Sequence, residues 1–289
     1  SGTYSFNSFI NITKDSIIIK GEGSSSKLLF DLNGVTKDLI YIIGSQVNTD
    51  RWITQSIEDK QNYVIVSQPE VFSIEQWVTL IVNDSTLMES DWAYKKSGQI
   101  LQIKKISGDT LYFKSSFRRA HSIESGPRLR IMNPRKYVGI ENLYIERVDA
   151  VDAQTTNIYF SRAVNSWIIG VESYKTNYAH ASFIYSSNMT LKGSYFHHSH
   201  SYGDGGRGYG IVLDFTTGES LIENNMFNNL RHSVLLQCGS NGNVISYNHS
   251  INPYWTEVIF LPSNSAGDIV LHGNYPYSNL IEGNSNQHT

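Results

Sequence analysis

The sequence predicts an all-β chain wound as a parallel β-helix, a solenoid, and interrupted by one small antiparallel β insertion. Three observations predict it: a strand-forming composition, an imperfect repeat with a basal length of 23 residues, and one interval between repeats long enough to hold a small domain. Of the 289 residues, 40% are hydrophobic and 12% aromatic, enough for a sizeable core. Only 17% are charged, and Ser, Asn, Gly, Tyr, Ile and Val abound while helix formers are scarce. That balance favours strands and turns.

The repeat is read from six-residue windows of the form apolar-x-(Gly/Asn)-x-x-x. They are IKGEGS from Ile19, IIGSQV from Ile42, IENLYI from Ile140, IIGVES from Ile168, LKGSYF from Leu191, IENNMF from Ile222, ISYNHS from Ile245 and IEGNSN from Ile281; only the Ile245 window lacks Gly or Asn at its third place. Successive spacings are 23, 98, 28, 23, 31, 23 and 36 residues. A 23-residue unit is too short for a propeller blade and has no helical half, which leaves a coil of a parallel β-helix. Asn165 and Asn188, each three residues before a window, are expected at matching turns in left-handed backbone.

Between Ile42 and Ile140 the chain is 75 residues longer than one unit. Inside that excess YVIVS, WVTLIV, QILQIKKI and DTLYFK alternate or run apolar with Gly and Asp turns between, as small antiparallel sheets do. The reading is therefore first coils over 1–47, an inserted β domain over 48–130 and main coils over 131–289. Of Trp52, Trp77 and Trp92, candidates for a sugar-stacking surface, at least two are expected in the core.

Two later coils are also long, by 8 residues after Leu191 and by 13 after Ile245. The first surplus lies in FHHSHSYGDGGRGYG, 196–210, the second in NPYWTEVIFLPSNSAGDIVLHGNYPY. Solenoid insertions emerge as loops, often on the binding face, and the glycines permit close ligand approach. Nine residues on from five windows stand Asp149, Asn177, His200, Arg231 and Tyr254, with His232 and Trp255 one place further, an expected outward polar ladder. His, Arg, Tyr and Trp suit anionic or hydroxylated sugars through charge-assisted bonds and stacking. The substrate-binding candidates are His197, His198, Tyr202, Tyr209, Tyr254 and Trp255, with His272, Tyr275 and Tyr277 of HGNYPY as a second aromatic lip.

A net charge of -3 argues against a nucleic-acid partner, whose binding needs clustered Lys and Arg. The single cysteine, Cys238, permits no internal disulfide and reads as a small core residue. No apolar run approaches membrane-spanning length. The expected location is secreted or periplasmic in a bacterium, any targeting segment ahead of SGTYSFNSF having been removed or never having existed.

The coil spacing, the Asn/Gly turns and the strings NSWIIGVES, GESLIENNMFNNL and NGNVISYNHS resemble the right-handed parallel β-helix proteins of the pectate-lyase-like superfamily, in particular bacterial carbohydrate-active members. The resemblance covers about 1–45 and 135–289. It implies the fold and leaves the reaction open among polysaccharide lyases, polygalacturonase-type hydrolases, epimerases, esterases and phage tailspikes. Where pectate lyases carry Trp-Ile-Asp-His this chain has WIIG at 167–170, so that family's calcium site does not carry over. The Asn-Thr-Asp, Asp-Asp, Gly-His-Gly and Arg-Ile-Lys motifs of polygalacturonases are absent. No capping helix precedes SGTYSF and LIEGNSNQHT stops inside a repeat window, which predicts a fragment or an unusual cap.

Three functional readings follow. The leading one is a lyase cleaving an acidic polysaccharide by β-elimination: Arg231 or Arg207 pairs the uronate, His200 or His232 is the base, and Tyr209 or Tyr254 the acid. Hydrolysis instead needs two carboxyl groups, drawn from Asp204, Asp214, Glu223, Glu257 and Asp268, with Asp204 and Asp268 facing each other across a groove. The third is a tailspike-like or adhesin-like β-helix that binds without turnover. No metal is assigned; calcium held by Asp204, Asp214 or Asp268 is a candidate cofactor without a loop signature, and zinc at FHHSH through His198, His200 and Asp204 ranks below sugar binding. The expected partner is an anionic polysaccharide.

Overall fold

The computed structural model describes residues 1–203, 206–256 and 266–287. Each turn of the chain contributes three short strands, and parallel pairing of successive turns stacks them into three sheets. Sheet B runs from Ile10–Ile12 to Ile269–Leu271, sheet C from Ile18–Lys20 to Leu280–Glu282, and sheet A from Gly2–Phe6 to Ser285–Asn286. A coil visits B, then C, then A. Among the described residues there is no α-helix, only four single-turn 3-10 segments.

Seven of the eight windows stand in one line. Ile19, Ile140, Ile168, Leu191, Ile222, Ile245 and Ile281 pair successively down sheet C, one per coil. From Ile140 to Ile245 they are fully buried. The Ile42 window departs from the line: Ile42 lies in sheet B, between Ile12 and Phe160, and its Gly44 marks the corner where the insert leaves. Phe160, Phe183, Phe196 and Phe227 fill the interior beside the isoleucines, with Phe196 and Phe227 edge to face at 6.0 Å. Like side chains stacked on like, one coil apart, give a close-packed core.

Asparagines hold the turns. Asn165 and Asn188 have φ of 51° and 53°, and the Asn188 amide donates to Asn165 Oδ1 at 3.4 Å. A second, buried column runs through Asn225, Asn248 and Asn284. Asn248 Oδ1 accepts from the Asn225 amide at 2.9 Å and from its backbone N–H at 3.1 Å, and the Asn248 amide donates to Asn284 Oδ1 at 2.9 Å. An Asn248→Ala variant strands two buried donors, and we expect it to lose about 1–3 kcal/mol. Urea unfolding checks this as a lower midpoint at unchanged slope; a midpoint equal to wild type would mean the column adds nothing.

The insert is an antiparallel sheet in the order Ser45–Trp52, Arg128–Asn133, Trp77–Ile81, Ile100–Ser107, Thr110–Phe113 and Tyr63–Ile65. It has its own core around Val64, Val78, Leu80, Leu101, Leu111 and Phe113. It leaves the solenoid between sheets B and C at a crowded point, since a side chain at Gly44 would stand 2.3 Å from Arg162 O and 2.8 Å from Asn133 O. Only Trp77 of the three tryptophans is core; Trp52 and Trp92 are each 53% exposed.

The insert also docks back on the later coils. Arg118 donates to Asn241 Oδ1 at 2.7 Å and pairs with Glu219, and Asn274 Oδ1 accepts the Glu89 and Ser90 N–H groups at 2.9 and 3.1 Å. Tyr277 Oη donates to Gly98 O at 2.9 Å, and Tyr275 lies 5.0 Å beneath the Arg119 guanidinium. Tyr275 and Tyr277 are thus not an aromatic lip: the turn that carries them braces the insert.

Candidate functional site

Strand alternation sends every second side chain of sheet B outward. In Ile158–Ser161, Ile158 and Phe160 enter the core and Tyr159 faces out; in Tyr209–Asp214, Ile211 and Leu213 enter and Val212 and Asp214 face out, while a break in the alternation at Gly210, which faces the core ring of Phe227, puts Tyr209 on the outer face as well. Two walls rise from this face. Gln154 and Gly206 stand at the turns between sheets A and B, and Trp92 of the insert, with Phe215 and His272, stands on the sheet C side. Between them lies a cleft of about 670 Å³.

Its floor is aromatic. Tyr178 meets Tyr209 edge to face at 5.4 Å, and Tyr209 stacks on His232 at 5.2 Å and 16°. Arg231 also lines the cleft, its guanidinium 5.9 Å from the Tyr209 ring and 5.1 Å from Trp255. Its Nη1 donates to Gly203 O at 2.9 Å, and among the described residues no carboxylate pairs with it.

Among the described residues two carboxyl groups line the cleft, and burial pushes both above the usual carboxylate range. Asp38 accepts the Thr156 N–H at 2.8 Å. Asp214 accepts the Phe215 N–H at 2.7 Å and the Gln237 amide at 3.0 Å. Asp38 lies in the turn that leads into Ile40–Ile43 and Asp214 ends Tyr209–Asp214, strands three coil steps apart, about 14 Å along the axis. A pair that cleaves a glycosidic bond with inversion stands about 6.5–9.5 Å apart, and a retaining pair closer still.

Of the residues singled out in the sequence, the structure brings Trp92, Tyr209, Asp214, Arg231 and His272 into the cleft. His232 lies beneath, 7% exposed; its Nδ1–H donates to Gly267 O at 2.8 Å, and burial lowers its pKa to about 4, leaving the ring neutral. His200 donates from Nε2 to Arg147 O at 2.9 Å, and burial again lowers its pKa. Arg207 is paired with Asp152. Tyr202 donates to Asn229 Oδ1 at 2.6 Å and meets the half-exposed Tyr254 edge-on at 5.0 Å.

His197 and His198 belong to another face. His197 ends a strand of sheet A, stacked on Tyr195 at 4.2 Å, with its Nε2 3.4 Å from Glu172 and its Nδ1 3.0 Å from that of His198. Burial lowers both pKa values, that of His197 to about 4. With His200 turned to Arg147 O, the FHHSH histidines do not converge on a zinc site.

Three readings need correction. Asp268 is turned into the solenoid, 1% exposed, where it accepts the Ser250 hydroxyl and the Gln287 N–H, so it faces no groove. Its expected partner Asp204, like Glu257, lies outside the described residues, and Glu223 is ion-paired with Lys192 on sheet C. The polar ladder is not wholly outward either: Asn177 is 1% exposed, and Asp149 accepts the Leu32 and Gly34 N–H groups and pairs with Arg147. Turns between sheets leave backbone donors that must be satisfied, and these side chains satisfy them. Asp214 faces the cleft and Asp268 the interior, so they do not fit one calcium ion; among the described residues no three His, Cys, Asp or Glu side chains converge.

Asp38, Gln154, Tyr159, Tyr178 and Gln237 were not singled out in the sequence. The available signal for Tyr159 was its place between Ile158 and Phe160 in a strand buried on alternate residues.

No protein-family model matches the chain, and no curated protein matches it. Among solved structures it is similar to the tailspike protein gp49 from Pseudomonas phage LKA1, with 14% identity and a TM-score of 0.72 over 98% of this chain and 45% of that one. It is likewise similar to the tailspike gp61 of Pseudomonas phage phi297, with 13% identity and a TM-score of 0.74 over 97% and 45%. The chain spans less than half the length of either tailspike. The likeness is one of fold: a parallel β-helix stacked as those two tailspikes are stacked.

Proposed function

We propose that the chain is a tailspike-like carbohydrate-binding β-helix that holds a polysaccharide across the outer face of sheet B. The observation that carries this reading is the lining of one cleft: the rings of Trp92, Tyr159, Tyr178 and Tyr209 beside the amides of Gln154 and Gln237 and Arg231, which no carboxylate pairs among the described residues. Rings offer flat apolar faces to a sugar, and amides match its hydroxyl groups. Arg231 suits a carboxylate. The fold shared with two phage tailspikes supports the same reading.

Cleavage by β-elimination is the second reading, favoured by the placement of Arg231, His272 and Tyr209 in one cleft. Arg231 would neutralise the uronate carboxylate and His272 take the proton α to it. The electron pair left behind forms the new double bond as the glycosidic C–O bond breaks, and Tyr209 protonates the leaving oxygen. Burial raises the Tyr209 pKa, so its hydroxyl keeps the proton to be given.

Uronate-containing, sulfated and neutral polysaccharides should be tested for binding, with ultraviolet absorbance and reducing ends followed together. We expect binding, with Trp92→Ala and Tyr178→Ala each weakening it about tenfold, the worth of one well-placed ring. Binding unchanged in both variants would remove the cleft from consideration. Rising absorbance with reducing ends means elimination, reducing ends alone mean hydrolysis, and neither means binding without turnover.

A further inference from the structure

Where the insert meets the solenoid, beside the cleft, a smaller pocket of about 170 Å³ collects four cationic side chains. Lys95, Lys96 and Arg130 come from the insert, and Arg162 from the corner between Ile158–Ser161 and Ala163–Ile169. The charge there is only partly balanced: Asp214 of the cleft feels Lys96 without forming an ion pair with it. Asp50 is 2.8 Å from Arg130 but also 2.9 Å from Arg128, so one carboxylate serves two guanidinium groups. Asp84, behind Lys95, spends its oxygens on the Lys95 and Ser97 backbone N–H groups. Among the described residues no carboxylate forms an ion pair with Lys95, Lys96 or Arg162.

The cations are posed on aromatic rings. Arg162 stands 4.6 Å from the Tyr185 centroid and donates from Nε to Gln46 Oε1 at 3.3 Å. Lys96 Nζ lies 5.1 Å from Tyr185 and 5.3 Å from Phe215. Rings and an amide hold the cations in place without cancelling their charge. Like charges gathered in a half-buried pocket repel, and an oxyanion relieves that repulsion while accepting the unused N–H groups.

The pocket adjoins the cleft across a pair of stacked rings. Phe215 lines the cleft and stacks on Tyr185 of the pocket at 5.1 Å and 30°, with Lys96 over both rings. We infer that this junction pocket binds one acidic group, a carboxylate or a sulfate or phosphate ester, carried by a sugar residue of the polysaccharide in the cleft. The pocket's affinity for an oxyanion stands on its own residues, and the identity of the carrier rests on the proposed function.

The test uses three probes, sulfate, phosphate and glucuronate, each titrated against chloride at matched ionic strength while the melting temperature is followed. A ligand bound by the native state raises that temperature with its concentration. We expect at least one probe to do so in the wild type, and Lys96→Met/Arg162→Gln to weaken its affinity at least tenfold. Response to sulfate or phosphate alone identifies an ester, and response to glucuronate alone a uronate. No response in the wild type, or equal responses in wild type and variant, would overturn the inference. Should the double variant fail to fold, Lys96→Gln replaces it. Trp92→Ala separates the two proposals: it is expected to keep the oxyanion response and lose polysaccharide affinity, and polysaccharide binding insensitive to Trp92 would count against the cleft while leaving the pocket intact.

Discussion

An Arg147→Met variant is expected to lose about 3–5 kcal/mol of stability, the usual cost of removing one partner from a buried ion pair. Arg147 is fully buried. Its Nη1 donates to Lys37 O at 2.6 Å and to Thr155 Oγ1 at 3.3 Å, its Nη2 to Val35 O at 3.0 Å, and its Nε to Asp149 Oδ1 at 3.1 Å. One side chain therefore ties two successive turns between sheets A and B, the earlier of which carries Asp38 into the cleft. Methionine fills the volume and satisfies none of those acceptors, leaving two backbone carbonyls and a largely buried carboxylate short of donors. Urea unfolding reads the loss as a lower midpoint, and a change below about 1 kcal/mol would show that the network carries little of the fold. Polysaccharide affinity should fall with it, since the cleft wall rests on the same turn.

Acid is expected to destabilise the protein before most of its carboxylates titrate. His180 is fully buried between Ser173 Oγ at 2.8 Å and His198 O at 2.9 Å, and burial lowers its pKa to about 3. His121, His197 and His232 are lowered to about 4 by the same cause. In the unfolded chain these rings take up protons below about pH 6.5, whereas the folded state refuses them until pH 4 to 3. The unfolded state therefore binds more protons across that interval, and stability falls with falling pH. For His180 alone the loss reaches about 4–5 kcal/mol at the foot of the range. Asp38 and Asp214 act with the opposite sign, because their raised pKa values make the folded state take up protons before the unfolded chain does as the pH drops. Comparing urea midpoints at pH 7 and pH 4.5 in wild type and His180→Gln isolates the histidine: the variant should show the shallower pH dependence, and an equal dependence would refute the assignment.

The repeat was legible because sheet C writes it directly. Its strands place one apolar residue per coil, before a Gly or Asn at Ile140, Ile168, Leu191 and Ile222 and 23 residues on at Ile245, so these residues announced their own register. Ile42 mimicked the pattern because Gly44 serves a corner of sheet B. The cleft was harder to see. Counting nine residues from a sheet C strand arrives at the turn between sheets A and B, where Asp149, Asn177 and His200 pin backbone and Arg231 alone of those four reaches the cleft. Tyr159 and Tyr178 read in sequence like any outward strand or turn residue. What makes their surface a site is the insert overhead, and that contact joins distant parts of the chain, as when Thr216 Oγ1 donates to Lys96 O across 120 residues.

Gly44 and Asn133 meet where the insert leaves and re-enters, and this changes the cost of closing the chain. Later coils join neighbours 23 residues apart, as Asn188 joins Asn165, whereas the first coils join partners 121 residues away, as Asp15 joins Lys136. A flexible loop of the second length costs about 1.5 kcal/mol more to close than one of the first. Pairing of Ser45 with Asn133 and Gln46 with Met132 removes that difference, since it brings both ends of the long excursion to the same rung. The insert, besides roofing the cleft, thus works as a clasp that makes the first coils local to the rest.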